Sequence, residues 1–251
     1  MNIVEKINEA AEAKTNLLSR NVWLYLLKTA MGGLYISFGV IASCSAAKYL
    51  YPIHPSLASL TSAIVFPIAL LMIIFLGGEL FTSGIFVMSI SFFSRKTKLS
   101  GAIKTCTFCY AGNFVAIFVI MALYSFTKSY NNNFDEQISR VVTAKMDYSV
   151  AQLLVKGALC NFAVCCAYYA SVKVTSETAK FLMIFICIFA FVISGFEHSV
   201  ANMGYFSAGL FLMEDFPIGQ ALWNLLFSTL GNIIGGAMLL GLPIYLMERK
   251  K

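Results

Sequence analysis

The chain has 251 residues, 59% of them hydrophobic and only 12% charged, with a net charge of +6 and a mean hydropathy of +0.78. This composition excludes an ordinary soluble domain, and the scatter of the basic residues into short segments between apolar windows excludes a nucleic-acid-binding face. The alternating ten-residue pattern of a β-barrel is missing as well, which leaves an all-α membrane protein.

Five apolar windows of about 20 residues or more, and a sixth that contains a polar break, match the length a helix needs to cross about 30 Å of hydrocarbon. Ahead of them, residues 1–20 place Ile3, Ile7, Ala10, Ala11, Lys14 and Leu17 at helical spacing, with Glu5, Lys6, Glu9 and Glu12 on the other side. That spacing predicts an amphipathic helix at the membrane interface and not a signal peptide, which would start basic and continue as a compact apolar core. The first crossing is expected over residues 22–50, with Gly32, Gly33, Gly39, Ala42 and Ala46 forming a small-residue face for close packing. Pro52, His54 and Pro55 mark a loop, in which His54 reads as solvated.

The second crossing starts near Leu57 and is apolar to Leu76. It then meets Gly77-Gly78-Glu79-Leu80-Phe81-Thr82-Ser83-Gly84 before an apolar run to Phe93. Three glycines around an acid and two hydroxyls predict a broken helix, with its second half starting near Gly84. Arg95, Lys96 and Lys98 precede the third crossing, residues 99–126, which contains Gly112-Asn113. Residues 127–148 are polar, with Asn131-Asn132-Asn133, Asp135, Glu136, Arg140 and Lys145, and read as a loop.

The fourth crossing, residues 149–172, carries Lys156 and Asn161. The fifth runs from near Ala179 to Ile193, breaks at Ser194-Gly195-Phe196-Glu197-His198-Ser199-Val200-Ala201-Asn202, and is expected to resume from Met203 to Met213. The sixth, residues 220–247, carries Gly231-Asn232 and Gly235-Gly236. The chain thus divides into an interfacial helix, residues 1–20, and a six-helix membrane domain, residues 21–251. Most Lys and Arg fall on the side of the termini, from Lys6 and Lys14 to Arg249, Lys250 and Lys251, whereas Lys128, Arg140 and Lys145 fall on the other. By the positive-inside rule both termini are cytoplasmic.

An internal repeat is visible. Glu79 lies 34 residues before the Asn113 of one Gly-Asn pair, and Glu197 lies 35 before the Asn232 of another. Each acid sits in a break in the second helix of a triplet, so the repeats span about 22–126 and 149–247. Three crossings per repeat is an odd number, which inverts the second copy. Two interrupted helices in matching positions of inverted repeats point to a central permeation site.

Ionisable groups at bilayer depth are costly unless they pair or line a cavity. Glu79 and Glu197 read as acceptors that fix their loops, because helix N-termini freed by a break favour anions and a transport carboxylate there would repel them. His198 is the only histidine inside a membrane window. It adjoins an acid, and imidazole is the side-chain type whose charge changes near neutral pH, so it is expected to face a pathway. Thr82 and Ser83 read equally as helix caps or as lining hydroxyls. Lys14, Lys145 and Lys156 snorkel to the interfaces, or, for Lys145, raise the local anion concentration at an outer mouth. Leu70, Leu80 and Phe191 are core in most proteins and apolar constrictions in a pore. Cys106 and Cys109 form a CxxC with no adjoining histidine or acid, so neither a metal nor a cofactor is expected. A membrane-embedded enzyme built on His198, Glu197 and the cysteines would lack a second intramembrane histidine to ligate one.

Four segments carry a resemblance: Gly78-Glu79-Leu80-Phe81-Thr82-Ser83, Lys156-Gly157-Ala158-Leu159-Cys160-Asn161, Gly195-Phe196-Glu197-His198-Ser199-Val200-Ala201-Asn202-Met203 and Gly231-Asn232-Ile233-Ile234-Gly235-Gly236. Along nearly its whole length the chain resembles the formate/nitrite transporter family, most closely its bacterial hydrosulfide channel branch. The resemblance implies an aquaporin-like protomer in a homopentamer of the bacterial inner membrane, with one pore per protomer. It places Thr82 opposite His198 between an inner constriction at Leu70 and Leu80 and an outer one at Phe191. Lys145 falls at the outer vestibule, Lys14 near the inner mouth, and Asn161 and Asn202 behind the site with the two glutamates. The expected activity is a pH-gated, non-enzymatic channel for small monovalent anions, with hydrosulfide first. A formate or nitrite channel or proton-coupled transporter is the close alternative, and an aquaporin-like neutral-solute pore a further one.

Overall fold

A computed structural model describes residues 2–127 and 132–248. Lys128, Arg249, Lys250 and Lys251, which carry part of the expected charge asymmetry, lie outside the described residues, as does Asn131.

The regular structure of the described chain is all helical, with no strand among the described residues. Its elements are α1 (Ile3–Arg20), α2 (Val22–Ala47), α3 (Pro55–Val65), α4 (Ile68–Leu76), α5 (Phe81–Phe93), α6 (Leu99–Phe126), α7 (Asn132–Met146), α8 (Val150–Lys173), α9 (Glu177–Ile193), α10 (Ser199–Leu212), α11 (Ile218–Ile234) and α12 (Leu242–Glu248). A π-helical stretch, Gly235–Gly241, joins the last two. Five segments are long and apolar enough to cross a membrane: α2, Pro55–Leu76, α6, α8 and Ile218–Glu248. The 26 residues of α2 rise about 39 Å at 1.5 Å per residue.

Local sequence sets the starts. Asn2 and Glu5 close a capping box on α1, Ser149 and Gln152 one on α8, and the Asn21 side chain accepts from the Leu24 N–H at the head of α2. The apolar face of α1, with Ile7 and Ala11 fully buried, packs on the protein's own helices α5 and α2.

Four sequence expectations need correction. Residues 127–148 are not a loop throughout, because Asn132–Met146 is helical. Phe134, Ile138 and Val142 recur every fourth residue and are fully buried, with Glu136 and Arg140 outward, so a sparse apolar stripe suffices to fold the segment onto α10. Pro67, which has no N–H to donate, divides the apolar run before the first break into α3 and α4. The second half-helices start at Phe81 and Ser199, earlier than Gly84 and Met203. At the other end of the chain, the glycines of the last crossing introduce the π-helical stretch.

The two ends of the molecule can be told apart. The start of α2 lies against the first break through Lys28, and its far end brings Lys48 to 5.9 Å from the Phe134 ring on α7. Conversely, the tail of α8 carries Lys173, which pairs at 3.0 Å with Glu248 of α12, whose carbonyl also accepts from Asn2. One end is therefore covered by α1 and the other by α7.

Glycines let α2 approach the first break. A Cβ on Gly32 would lie 2.0 Å from the Glu79 carbonyl oxygen, which is backbone and cannot swing away. Gly32→Ala is therefore expected to cost about 3 kcal/mol by overpacking. The readout is the melting midpoint of the purified protein in detergent, and an unchanged midpoint would contradict the close approach.

Candidate functional site

The site is built from the two breaks, which share one construction. In the first, Gly77 adopts φ 88 and turns the chain off α4. The Glu79 N–H then donates to the Lys28 carbonyl at 2.9 Å. Asn113 of α6 reaches in with all of its amide: Nδ2 donates to the carbonyls of Thr29 at 2.6 Å and Glu79 at 2.8 Å, and Oδ1 accepts from the Phe81 N–H at 3.0 Å. In the second, Gly195 at φ 63 turns the chain off α9, and the Glu197 N–H donates to the Lys156 carbonyl at 3.3 Å. Asn232 donates to the carbonyls of Gly157 at 2.9 Å and Glu197 at 2.8 Å and accepts from the Ser199 N–H at 2.9 Å. One asparagine thus satisfies a backbone carbonyl and a backbone N–H of each break, as their burial requires.

Each break also presents a paired acid. Glu79 is bridged by Lys14 of α1. Glu197, almost fully buried, accepts from Lys145 of α7 at 2.7 Å and from the amides of Asn202 at 2.6 Å and Asn224 at 3.2 Å. The structure thereby makes α7 the counterpart of α1, each delivering a lysine to the glutamate of one break. Both carboxylates are matched by a cation, so neither end of the site carries a lone buried charge.

Thr82 and His198 meet between the breaks. The His198 imidazole caps α10, with Nδ1 accepting from the Ala201 N–H at 3.0 Å. A ring nitrogen that accepts carries no proton, so the neutral ring holds its hydrogen on Nε2 and donates it to Thr82 Oγ1 at 3.0 Å. The hydroxyl hydrogen of Thr82 is then left to donate elsewhere. Behind them, Asn161 Nδ2 donates to the carbonyls of Thr82 at 3.1 Å and Asn232 at 2.6 Å, locking the two halves together.

Apolar groups border this pair on the His198 side. Phe191 stacks on His198 with centroids 5.8 Å apart, and Phe66 meets Phe191 edge-on at 6.0 Å. Leu70 and Leu80 are buried too, and Leu80, which precedes Phe81 as His198 precedes Ser199, is the first break's equivalent of the histidine. On the α7 side a recess of about 170 Å³ reaches His198 and is lined by Ser59, Ser62, Gln137, Lys145 and Tyr205. On the α1 side a recess of about 770 Å³ reaches Glu79 and is lined by Lys14, Lys28, Ser83, Tyr168 and Lys180.

Of the lysines expected at the mouths, Lys14 and Lys145 line the recesses and Lys156 does not. Its ammonium donates to the Gly195 carbonyl at 3.2 Å and sits 3.8 Å from the Tyr148 ring centroid, holding the second break from the side. Cys106 and Cys109 are buried free thiols. Among the described residues no three His, Cys, Asp or Glu side chains converge.

Sequence reasoning missed Asn224, Gln137, Phe66 and Lys28, and gave Asn113 and Asn232 no role beyond marking the repeat. Lys28 had a signal: it precedes Thr29 as Lys156 precedes Gly157 in the other repeat.

The family model described as Formate/nitrite transporter matches residues 1–246. The chain belongs to the formate/nitrite transporter family. Its relatives in that family include the nitrite transporter NirC of Escherichia coli (strain K12), 33% identical over 95% of this chain and 89% of the relative. They also include the formate channel BtFdhC of Bacillus thuringiensis, 27% identical over 96% and 93%. Among solved structures, one described as an FNT family ion channel is 29% identical and superposes with a TM-score of 0.91 over 98% of this chain and 99% of that one. A pentameric formate channel with formate bound, 21% identical, shares the fold with a TM-score of 0.77 over 95% of this chain and 98% of that one. The formate/nitrite transporter fold accordingly provides the setting in which the two breaks and their flanking recesses are to be interpreted.

Proposed function

We propose that the chain is a homopentameric channel for small monovalent anions, hydrosulfide first, with one pathway through each protomer between Thr82 and His198. The second crossing is completed by α5 and the fifth by α9 with α10, giving six crossings in two inverted repeats. Both termini face the cytoplasm of a bacterial inner membrane, so the α1-side recess is the inner mouth and the α7-side recess the outer one.

The observation that carries this reading is the Thr82–His198 bridge, bordered by apolar side chains between two open recesses. A bare anion entering that stretch loses its hydration and finds no unmatched cation, because Lys14 and Lys145 are each matched by a glutamate. A conjugate acid crosses it at far lower cost. Hydrosulfide is the strongest base among hydrosulfide, formate and nitrite and takes up a proton most readily, which favours it here. Thr82 offers its hydroxyl hydrogen to the anion, and the Nε2–H of His198 polarises that hydroxyl. Leu70, Leu80 and Phe191 exclude water on either side.

Uptake of hydrosulfide, formate and nitrite into proteoliposomes, each with and without a pH gradient, tests the reading. Hydrosulfide is expected to enter fastest, and no uptake of any of the three would overturn the channel. In the same assay His198→Phe is expected to slow uptake about tenfold, the equivalent of one lost hydrogen bond of about 1.4 kcal/mol. An unchanged rate would remove the imidazole from the pathway.

Gating is assigned to the first break. Lys14 ties α1 to Glu79, and Asn2 ties the head of α1 to the Glu248 carbonyl, so α1 is fastened at both the first break and α12. Deleting residues 1–20 is expected to abolish pH-dependent closure, and an unaltered pH profile of flux would argue against it.

A further inference from the structure

Away from the pathway, a groove of about 470 Å³ runs between α5, α6 and the π-helical stretch after α11. Its walls are almost wholly apolar. Phe92, Leu99, Ile103, Ile233 and Met238 are between a third and three-fifths exposed, so the groove opens outward among membrane-crossing helices. Its deep wall holds one polar pair, the hydroxyls of Tyr110 and Thr229 at 3.0 Å, which satisfy each other.

At one end the groove is lined by Phe92, Phe93 and Leu99, which flank the turn from α5 to α6. That turn carries Arg95, Lys96 and Lys98, all exposed, with Lys104 one turn farther along α6. Lys96 faces a recess lined by Glu5, Glu9 and Glu12, which offsets its charge. Arg95, Lys98 and Lys104 form no ion pair among the described residues. Arg95 sits at φ 58, the left-handed position that ends α5, where the Lys96 N–H donates back to the Ser91 carbonyl at 2.9 Å. Glycine adopts that conformation without strain, whereas here a long cation occupies it.

An apolar trough that ends at unmatched cations has the chemistry of an amphiphile with an anionic head. We propose that the groove holds one acyl chain of an anionic phospholipid, with its phosphate on Arg95 and Lys98. Hydrocarbon favours the trough, and the basic turn selects among headgroups, as basic patches beside membrane-crossing helices do.

Native mass spectrometry of the purified full-length protein, titrated with phosphatidylglycerol and with phosphatidylcholine of identical chains, tests this. Phosphatidylglycerol is expected to bind about thirtyfold tighter, a preference of the size two basic residues supply. The pair Arg95→Gly and Lys98→Ala should abolish the preference. Glycine retains the left-handed turn, so the variant keeps its fold and its elution volume. Ile103→Ser, at an exposed position, should weaken both lipids together. Equal binding of the two lipids by the unaltered protein would overturn the proposal. So would competition by glycerol phosphate as effective as that of the intact lipid, since only the head would then be bound. A photoreactive residue at Ile103 that labels a second copy of the chain instead of lipid would overturn it too.

Discussion

Lys145→Met is expected to destabilise the protein by about 3–5 kcal/mol, the cost of leaving a buried carboxylate without its cation, whereas Lys14→Met should cost about 1 kcal/mol. The difference lies in the acids. The Glu197 side chain is 1% exposed and that of Glu79 is 14% exposed, so water can take over from Lys14 but not from Lys145. Adding Glu197→Gln to Lys145→Met should recover most of the loss. A neutral amide oxygen still accepts from Asn202 and Asn224, and no uncompensated charge remains. Melting midpoints of the four proteins of that double-mutant cycle measure the coupling, expected at about 3 kcal/mol. Equal losses for Lys145→Met and Lys14→Met would show that the two pairs are equally solvated.

The pairing also bears on how an anion is drawn in. A lysine facing a recess raises the anion concentration only to the extent that its charge is unmatched. Lys145 is matched at 2.7 Å, so the field at that mouth is the field of a dipole. On the α1 side Lys180 is matched by Glu177 at 2.8 Å, while Lys28 lines the recess without an ion pair among the described residues. The electrostatic pull is thus weighted toward the α1 side.

Much of this architecture was legible in the sequence because its signals are local. Gly77 and Gly195 announce backbone that leaves the helical region, and acids next to them in apolar windows announce buried hydrogen bonding. The repeat showed in the spacing from each glutamate to its Gly-Asn. What stayed hidden depends on geometry across elements. The three buried apolar residues of α7 are too few to outweigh its polar composition in a linear reading, yet they suffice once α10 is there to receive them. His198 reads as a titrating group until its Nδ1 is found capping α10, which fixes the ring in its neutral form and its proton on the Thr82 side. Protonating Nδ1 would set two N–H groups against each other. Lys156 has the same composition signal as Lys145, and only the path of the second break shows that it grips a carbonyl instead of facing the recess. The outward groove had no signature at all, since its lining residues are ordinary membrane-facing side chains spread over three segments.

The asparagines carry the second large prediction. Asn232→Leu removes three hydrogen bonds at once: it leaves the Ser199 N–H and the Glu197 carbonyl buried without that partner and the Gly157 carbonyl, inside α8, with its helical bond alone. At about 1–3 kcal/mol for each stranded group, the loss is expected to reach about 5 kcal/mol, enough to unfold a protein of ordinary stability. Asn113→Leu acts on the matching set: it strands the Phe81 N–H and the Glu79 carbonyl and leaves the Thr29 carbonyl, inside α2, with its helical bond alone. Asn232→Asp discriminates between a filled space and a hydrogen-bonding role, because aspartate has nearly the same shape. Its carboxylate still accepts from Ser199 but faces two carbonyl oxygens and lies near Glu197, so it should be no more stable than the leucine variant. The fraction of each variant that survives detergent extraction as a single peak at the elution volume of the unaltered protein is the readout. A well-folded Asn232→Asp protein would mean that the asparagine merely fills space and that the break is held by Lys156 and Lys145 alone. Failure of both asparagine variants, with Lys156→Met intact, would instead locate the support of each break in the one side chain that binds both of its ends.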